Sequence, residues 1–197
     1  MYRFGKRLTD IVLSGLGMLI LSPVFLVLAV AVRLTSPGPV FFRQQRIGAG
    51  KAEFTMLKFR SMRVDTPSEV PTHLLRDPYT HITGMGRFLR KTSLDELPQL
   101  WNIWRGEMSL VGPRPALWNQ EDLIAERDRY GVNDIRPGLT GLAQVRGRDE
   151  LPIAQKAAYD GEYRREMSFA LDCRILWRTA LSVLSGKDVS EGGPSEP

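Results

Sequence analysis

Residues 11–32 read IVLSGLGMLILSPVFLVLAVAV and contain no charged side chain. A helix needs about 20 predominantly apolar residues to cross a hydrocarbon core, so the run is long enough. At its centre stand Ser22 and Pro23. Proline has no N–H and clashes with the carbonyl four residues earlier, here Leu19, so it kinks or breaks a helix. A serine bonding back to a carbonyl increases the bend. Two arrangements follow: a kinked span, or a re-entrant helix-break-helix that turns at Ser22-Pro23 and returns to the side it entered. A spanning helix is expected to show a one-sided excess of Lys and Arg. Here Arg3, Lys6 and Arg7 precede the run, and Arg33, Arg43, Arg46 and Lys51 follow it. Basic residues at both ends favour re-entry, although a basic tail this short could also cross. The run is too long for a signal-peptide core and precedes no small-residue cleavage site, so it is expected to be retained in the mature protein.

The remainder reads as an ordinary globular domain, with hydrophobic residues at 43% and charged residues at 25% of the 197-residue chain. VFFRQQRIG (40–48) and FTMLKFRSM (54–62) predict two strands of a hairpin joined by AGKAE. Residues 63–83 are polar and proline-interrupted, as in a long surface loop. A short helix is expected over 84–91 and a longer one over 93–106, followed by an extended turn at MSLVGPRPAL. An amphipathic helix is expected over 118–131, loop and short strand over 136–148, and helices over 152–167 and 169–186. The expected architecture is α+β and mostly helical. A re-entrant membrane helix-break-helix occupies 1–35. A small cytosolic domain over 36–188 carries a short β-hairpin and surface amphipathic helices, and 189–197 form a disordered tail.

A single cysteine, Cys173, excludes an internal disulfide and a thiolate cluster. The two histidines, His73 and His81, read as surface or loop residues. The net charge of +5 points to an anionic partner: lipid headgroups, nucleic acid or a phosphorylated small molecule. No nucleic-acid motif or basic stretch interleaved with aromatics is present, and neither is a P-loop, a dinucleotide fingerprint or a Ser/His arrangement.

TSLDELPQL places Asp95 and Glu96 side by side at a predicted helix start. Ser93 and Glu96 have the spacing of a capping box, and Pro98 fits a helix beginning near Asp95. Capping alone explains the acidic pair. The positive helix end would equally keep a carboxylate ionised as a nucleophile or metal ligand, and a hard cation such as Mg²⁺ favours carboxylates together with phosphate oxygens. Basic residues recur around the pair: Lys58, Arg60, Arg87, Arg90, Lys91, Arg114, Arg136, Arg146 and Arg148. Arginine suits bidentate phosphate binding. Arg114, between two prolines, and Arg148, beside glycine, are the stronger candidates, whereas Arg127 and Arg129 read as solvated surface charges. Trp101, Trp104, Trp118 and Trp177 read as core or membrane-interface residues.

VFFRQQRIG, LKFRSM, RKTSLDELPQLWNI, MSLVGPRP and RPGLTGLAQVRGR, in this order, resemble the bacterial sugar transferases, the monotopic phosphoglycosyl transferases, in their small single-domain form. The resemblance runs from the apolar N-terminus to about residue 190. It implies transfer of a sugar-1-phosphate from a UDP-sugar to a polyprenol phosphate, undecaprenyl phosphate in bacteria. UMP is released, and surface-glycan assembly begins at the cytoplasmic face of the inner membrane. It implies an Asp-Glu dyad with Mg²⁺ and a covalent phosphosugar–aspartate intermediate: Asp95 as nucleophile, Glu96 with Asp95 holding Mg²⁺ or positioning the dyad, and Arg90, Arg114, Arg148 and Lys58 on the phosphates. It also implies that Ser22-Pro23 is the break of a re-entrant membrane helix. Inner-membrane lipids are then partners and nucleic acid is not. The helix of 169–186, with Arg174 and Arg178, is expected along the headgroups. The small form implies an N-acetylated hexosamine donor, with 6-deoxy sugars among the candidates. Leu142 stands where many members have an aromatic residue, a departure expected to bear on donor fit. A glycosyltransferase that releases UDP and a non-catalytic basic membrane adaptor are the alternatives.

Overall fold

The computed structural model describes residues 2–67, 78–147 and 151–185. The apolar run folds as two helices, α1 (Tyr2–Ile20) and α2 (Ser22–Thr35), bent by 63° at their junction. The break is narrow. Leu21 N–H still reaches the Gly17 carbonyl, and Phe25 N–H reaches Leu21, each at 2.9 Å. Pro23 sits in the first turn of α2, where its missing N–H costs no helical bond. Ser22 Oγ donates at 2.8 Å to the carbonyl of Leu19, the one Pro23 cannot serve.

One side of α1 is apolar and exposed, with Phe4, Leu8, Val12 and Leu19 facing outward. The other side is built into the protein. Buried Asp10 accepts from Ser109 Oγ at 3.2 Å and from Leu110 N–H at 3.0 Å. Arg7 donates to the carbonyls of Ile103 and Trp104 at 2.6 and 2.7 Å, closing the C-terminal end of α5 (Gln99–Arg105). Gly17 lets α5 approach closely: a Cβ there would lie 3.2 Å from Leu100 Cδ1.

β1 (Phe41–Ile47) and β2 (Glu53–Phe59) form the antiparallel hairpin, with Phe41 opposite Phe59 and Arg46 opposite Phe54. A 3₁₀ turn at Ala49–Lys51 joins them, with Gly50 and Lys51 at φ 65° and 63°. Alternation along β2 turns Phe54, Met56 and Lys58 to one face. The first two join Leu100, Ile103 and Met108 in a buried cluster beneath α5. Asn102 pins α5 to the strand, accepting from Leu57 N–H and donating to the Thr55 carbonyl. The short helices α3 (Pro78–His81) and α4 (Gly84–Lys91) follow, and Leu89 of α4 packs with Leu28, Val32 and Phe59 where α2 crosses it. A second, parallel sheet pairs β3 (Ser109–Val111) with β4 (Gly138–Thr140). Helices α6 (Glu121–Asp128), α7 (Leu142–Arg146), α8 (Ile153–Glu166) and α9 (Phe169–Ser185) complete the fold. Val111, Ile135, Leu142, Tyr163 and Ile175 form the cluster among β3 and the last three helices.

The mostly helical α+β architecture with a short hairpin is as expected, and so are the helices at 84–91, 152–167 and 169–186, while the helix expected over 118–131 is confined to Glu121–Asp128. Four readings are corrected. The single helix over 93–106 is instead a 3₁₀ turn, Leu94–Glu96, followed by α5, with Pro98 at the N-cap of α5. Pro98 cannot donate to the Leu94 carbonyl, which Leu97 N–H takes at 3.3 Å. The Ser93–Glu96 capping box does not form: Ser93 is left-handed, φ 56°, and its side chain caps nothing. The segment 136–148 contains the helix α7 as well as β4. Arg127 is not a solvated charge but is buried against Asp160, with Nε and Nη2 at 2.9 and 2.6 Å from Oδ2; Arg129 is exposed as expected.

Trp101, Trp104, Trp118 and Trp177 are exposed, which leaves the interface reading and removes the core one. Trp101 and Trp104 stack with centroids 5.3 Å apart. Arg174, Trp177, Arg178 and Leu181 share the exposed side of α9. Leu142 is a core residue, so its side chain is not presented to a ligand. His73, Arg148, much of the 63–83 loop and the 189–197 tail lie outside the described residues.

Candidate active site

Three of the residues singled out in the sequence meet at one place. Lys58 Nζ donates to Glu96 Oε1 at 2.7 Å, and Arg114 Nη1 lies 3.6 Å from the same oxygen. Each comes from a different element. Lys58 stands on the inward face of β2. Glu96 ends the 3₁₀ turn that left-handed Ser93 begins. Arg114 is carried on the Gly112–Pro115 segment, which the parallel sheet fixes: Gly112 N–H bonds the Thr140 carbonyl, and Gly138 N–H bonds the Pro113 carbonyl, each at 2.8 Å. No side chain fits at Gly138, since a Cβ there would lie 2.1 Å from Gly112 N. Flanking prolines restrict the backbone of Arg114 further.

These groups line a small, open depression together with Arg46, Met56, Gln99 and Gly138. Three cations and one carboxylate in a small, partly desolvated space favour a ligand with several negative charges. Asp95 precedes Glu96 on the same turn and is 6% exposed. Arg90, near the end of α4, has Nε 3.0 Å from Ser61 Oγ and Nη2 3.2 Å from Met62 Sδ. Arg146 is apart, forked onto Glu162 and lying over the Tyr159 ring.

Sequence reasoning passed over two residues of the depression. Arg46 was read only as a charge flanking the membrane run. In the hairpin register it faces Phe54, on the same side of the sheet as Lys58, and it donates to the Pro115 carbonyl at 2.9 Å. Strand alternation would have found it. Gln99 is 2% exposed, and its Nε2 has no hydrogen-bond partner among the described residues; nothing in its local sequence marks it.

Among the described residues no group of three or more His, Cys, Asp or Glu side chains is arranged to hold a metal. Two adjacent carboxylates, Asp95 and Glu96, remain as hard oxygen donors. That set is too small for an all-protein cage, but it suits Mg²⁺, which binds through one or two carboxylates plus substrate phosphates.

Comparison with known proteins gives concordant matches. The family model described as bacterial sugar transferase matches residues 1–186. A UDP-glucose:undecaprenyl-phosphate glucose-1-phosphate transferase of Xanthomonas campestris pv. campestris is 42% identical over 92% of this chain and 39% of its own length. The protein of the same name in Escherichia coli is 43% identical over 94% of this chain and 41% of its own. A third, from Caulobacter vibrioides, is 43% identical over 91% of this chain and 70% of its own. The chain thus spans about two fifths of the length of the first two relatives.

Proposed function

The chain belongs to the bacterial sugar transferase family, and from that premise we propose that it transfers a hexose-1-phosphate from a UDP-sugar to undecaprenyl phosphate, releasing UMP. The observation that carries this reading is the meeting of Lys58, Glu96 and Arg114 beside Asp95, a cationic depression with a carboxylate at its edge. Both substrates are phosphates, and their charge must be neutralised before a carboxylate can approach phosphorus.

The reaction we propose has two steps. An Asp95 carboxylate oxygen attacks the β-phosphorus, the bridging P–O bond breaks, and UMP leaves with the bridging oxygen. A phosphate oxygen of the polyprenol phosphate then attacks the phosphosugar held on Asp95. This breaks the aspartyl P–O bond, restores the carboxylate and forms the diphosphate-linked sugar. A covalent intermediate lets one site serve the two substrates in turn. Lys58 and Arg114 supply positive charge, and Lys58 holds the Glu96 side chain through their 2.7 Å bond. Arg90, which also bonds the Ser61 side chain, and Arg148 are candidate phosphate ligands. Mg²⁺ held by Asp95 and Glu96 would neutralise diphosphate charge.

The names of the relatives support UDP-glucose as donor. The N-acetylated or 6-deoxy hexosamine expected from the sequence is the competitor, and one assay separates them. Protein in detergent would be incubated with undecaprenyl phosphate, Mg²⁺ and either UDP-glucose or UDP-N-acetylhexosamines. UMP formed only in the presence of lipid is the expected result, and the donor that yields it is named directly. Release of UDP would make the protein a glycosyltransferase, and absence of turnover with every donor would leave a membrane adaptor.

For the membrane we propose re-entry from the cytoplasmic face of the inner membrane. Among the described residues no single helix is long and apolar enough to cross, whereas the bent pair has the length and composition of a broken span or a re-entrant loop. If the 63° bend is shared equally by the two arms, each inclines by about 31° to the membrane plane, and α1 descends about 15 Å at 1.5 Å per residue. That is roughly half of a ~30 Å hydrocarbon core. Arg3 and Arg33 would then both remain at the headgroups, where the exposed tryptophans and the Arg174–Arg178 face of α9 also fit.

A further inference from the structure

Gln99 presents a contradiction that the fold does not resolve. Its side chain is 2% exposed, and its Nε2 is buried with no hydrogen-bond partner among the described residues. An unmet buried donor is costly, and nearly all such groups in native proteins are satisfied. The residue lines the same depression as Arg46, Lys58 and Arg114. The carboxylate there, Glu96, has Oε1 held by Lys58 at 2.7 Å. The described lining of the depression is thus richer in donors than in acceptors, with Arg46, Lys58 and Arg114 set against the Glu96 carboxylate.

We infer that the Gln99 amide is a substrate-binding group, donating to a phosphoryl oxygen of the diphosphate donor at the floor of the depression. The inference rests on the proposed function for the identity of that donor. The cations set the ligand's charge, since Arg46, Lys58 and Arg114 line the same depression as Gln99 and charge-assisted bonds favour a phosphoryl oxygen as acceptor. The amide adds direction. It is neutral, and it sits on α5, which Asn102 and Arg7 clamp from both sides, so its N–H groups are oriented before the ligand arrives. A phosphoryl oxygen accepting from the amide would remove the cost of the unmet donor on binding.

Burial of an orphan donor gives a test that a structural glutamine would fail. Replacing Gln99 by methionine keeps the shape and removes the unmet group. Wild type and Gln99→Met, full chain in detergent, would be compared by thermal unfolding with and without inorganic pyrophosphate, and by UMP release from UDP-glucose. The expected result is an unfolding temperature equal to or above wild type without ligand, loss of most of the pyrophosphate-induced shift, and kcat/KM lower by about 10- to 100-fold. Should Gln99→Met not fold, Gln99→Glu preserves shape, replaces the donor by an acceptor, and is expected to lose the shift as well. An undiminished shift in either variant, or no shift in wild type, overturns the inference. Wild type that responds to pyrophosphate through Gln99 but forms no UMP from UDP-glucose or any UDP-N-acetylhexosamine would instead sink the proposed function and leave the phosphoryl site standing.

Discussion

Lys58 Nζ and Glu96 Oε1 lie 2.7 Å apart, a bond that ties the hairpin to the turn bearing Asp95. Both side chains are largely shielded from solvent, so the pair is screened less than a surface ion pair. Lys58→Met leaves Glu96 with Arg114 as its remaining cation among the contacts described above and frees the turn to move. UMP release is expected to fall by about 10²-fold, with a much smaller change in unfolding temperature. A variant that unfolds early but turns over normally would show that the bond serves only the fold.

Asp95→Asn tests the proposed nucleophile. With a labelled UDP-sugar and no lipid acceptor, wild type is expected to gain the mass of a phosphosugar, and Asp95→Asn to gain none while keeping its fold. An adduct on the asparagine variant would move the nucleophile to another residue.

Ser93 holds a left-handed backbone with φ 56° directly before the dyad. For a residue with a Cβ that conformation costs roughly 1–2 kcal/mol. Ser93→Gly is expected to raise stability by about 0.5–1 kcal/mol with activity retained, because the serine side chain caps nothing. Ser93→Val is expected to lower both, since a β-branched residue resists this conformation and would shift Asp95. Chemical denaturation alongside UMP release reads both quantities.

Arg127 and Asp160 form a buried pair between α6 and α8, where burial pushes the Asp160 carboxyl up and the guanidinium opposes it. Arg127→Met leaves a buried acid without its partner, and a loss of about 3–5 kcal/mol is expected. The double variant Arg127→Met with Asp160→Leu should recover much of it. If the double variant is no better than the single one, the pair contributes more than mutual neutralisation.

The Arg146 guanidinium, bonded to Glu162, holds that carboxyl below its ordinary value of 4.5. An acid with a depressed folded-state pKa binds fewer protons folded than unfolded between the two values. Its stabilisation is therefore present above pH 4.5 and lost as pH falls through the depressed value. Unfolding temperature should drop more steeply in that acid window for wild type than for Arg146→Met. Parallel curves would show that the pair adds nothing.

What the sequence disclosed depended on distance along the chain. FFRQQRI and EFTMLKF show their pairing through strand composition and a short turn, and the hairpin lies over the segments expected. The parallel pair Ser109–Val111 and Gly138–Thr140 could not be seen, because three-residue strands have no readable period and their partners are remote. The helix at 142–146 was hidden by the glycines on either side of it. Arg127 looked solvated because its partner, Asp160, lies in another helix. At the site, Asp95, Glu96, Lys58 and Arg114 were found as charged residues in recognisable motifs. Gln99 is uncharged and Arg46 was absorbed into a membrane flank, so both needed the fold to bring them into view.

Asp10 and Arg7 give the N-terminal helix a second consequence. Both belong to the segment that would enter the lipid, yet they hold β3 and the end of α5, the helix that begins just beyond the dyad. The helix is therefore a beam shared by the anchor and the catalytic frame, not a mooring line. If α1 enters the bilayer as proposed, whatever fixes its depth would also fix the height of the dyad above it, so that a lipid-borne phosphate and a water-borne nucleotide would meet at one set elevation.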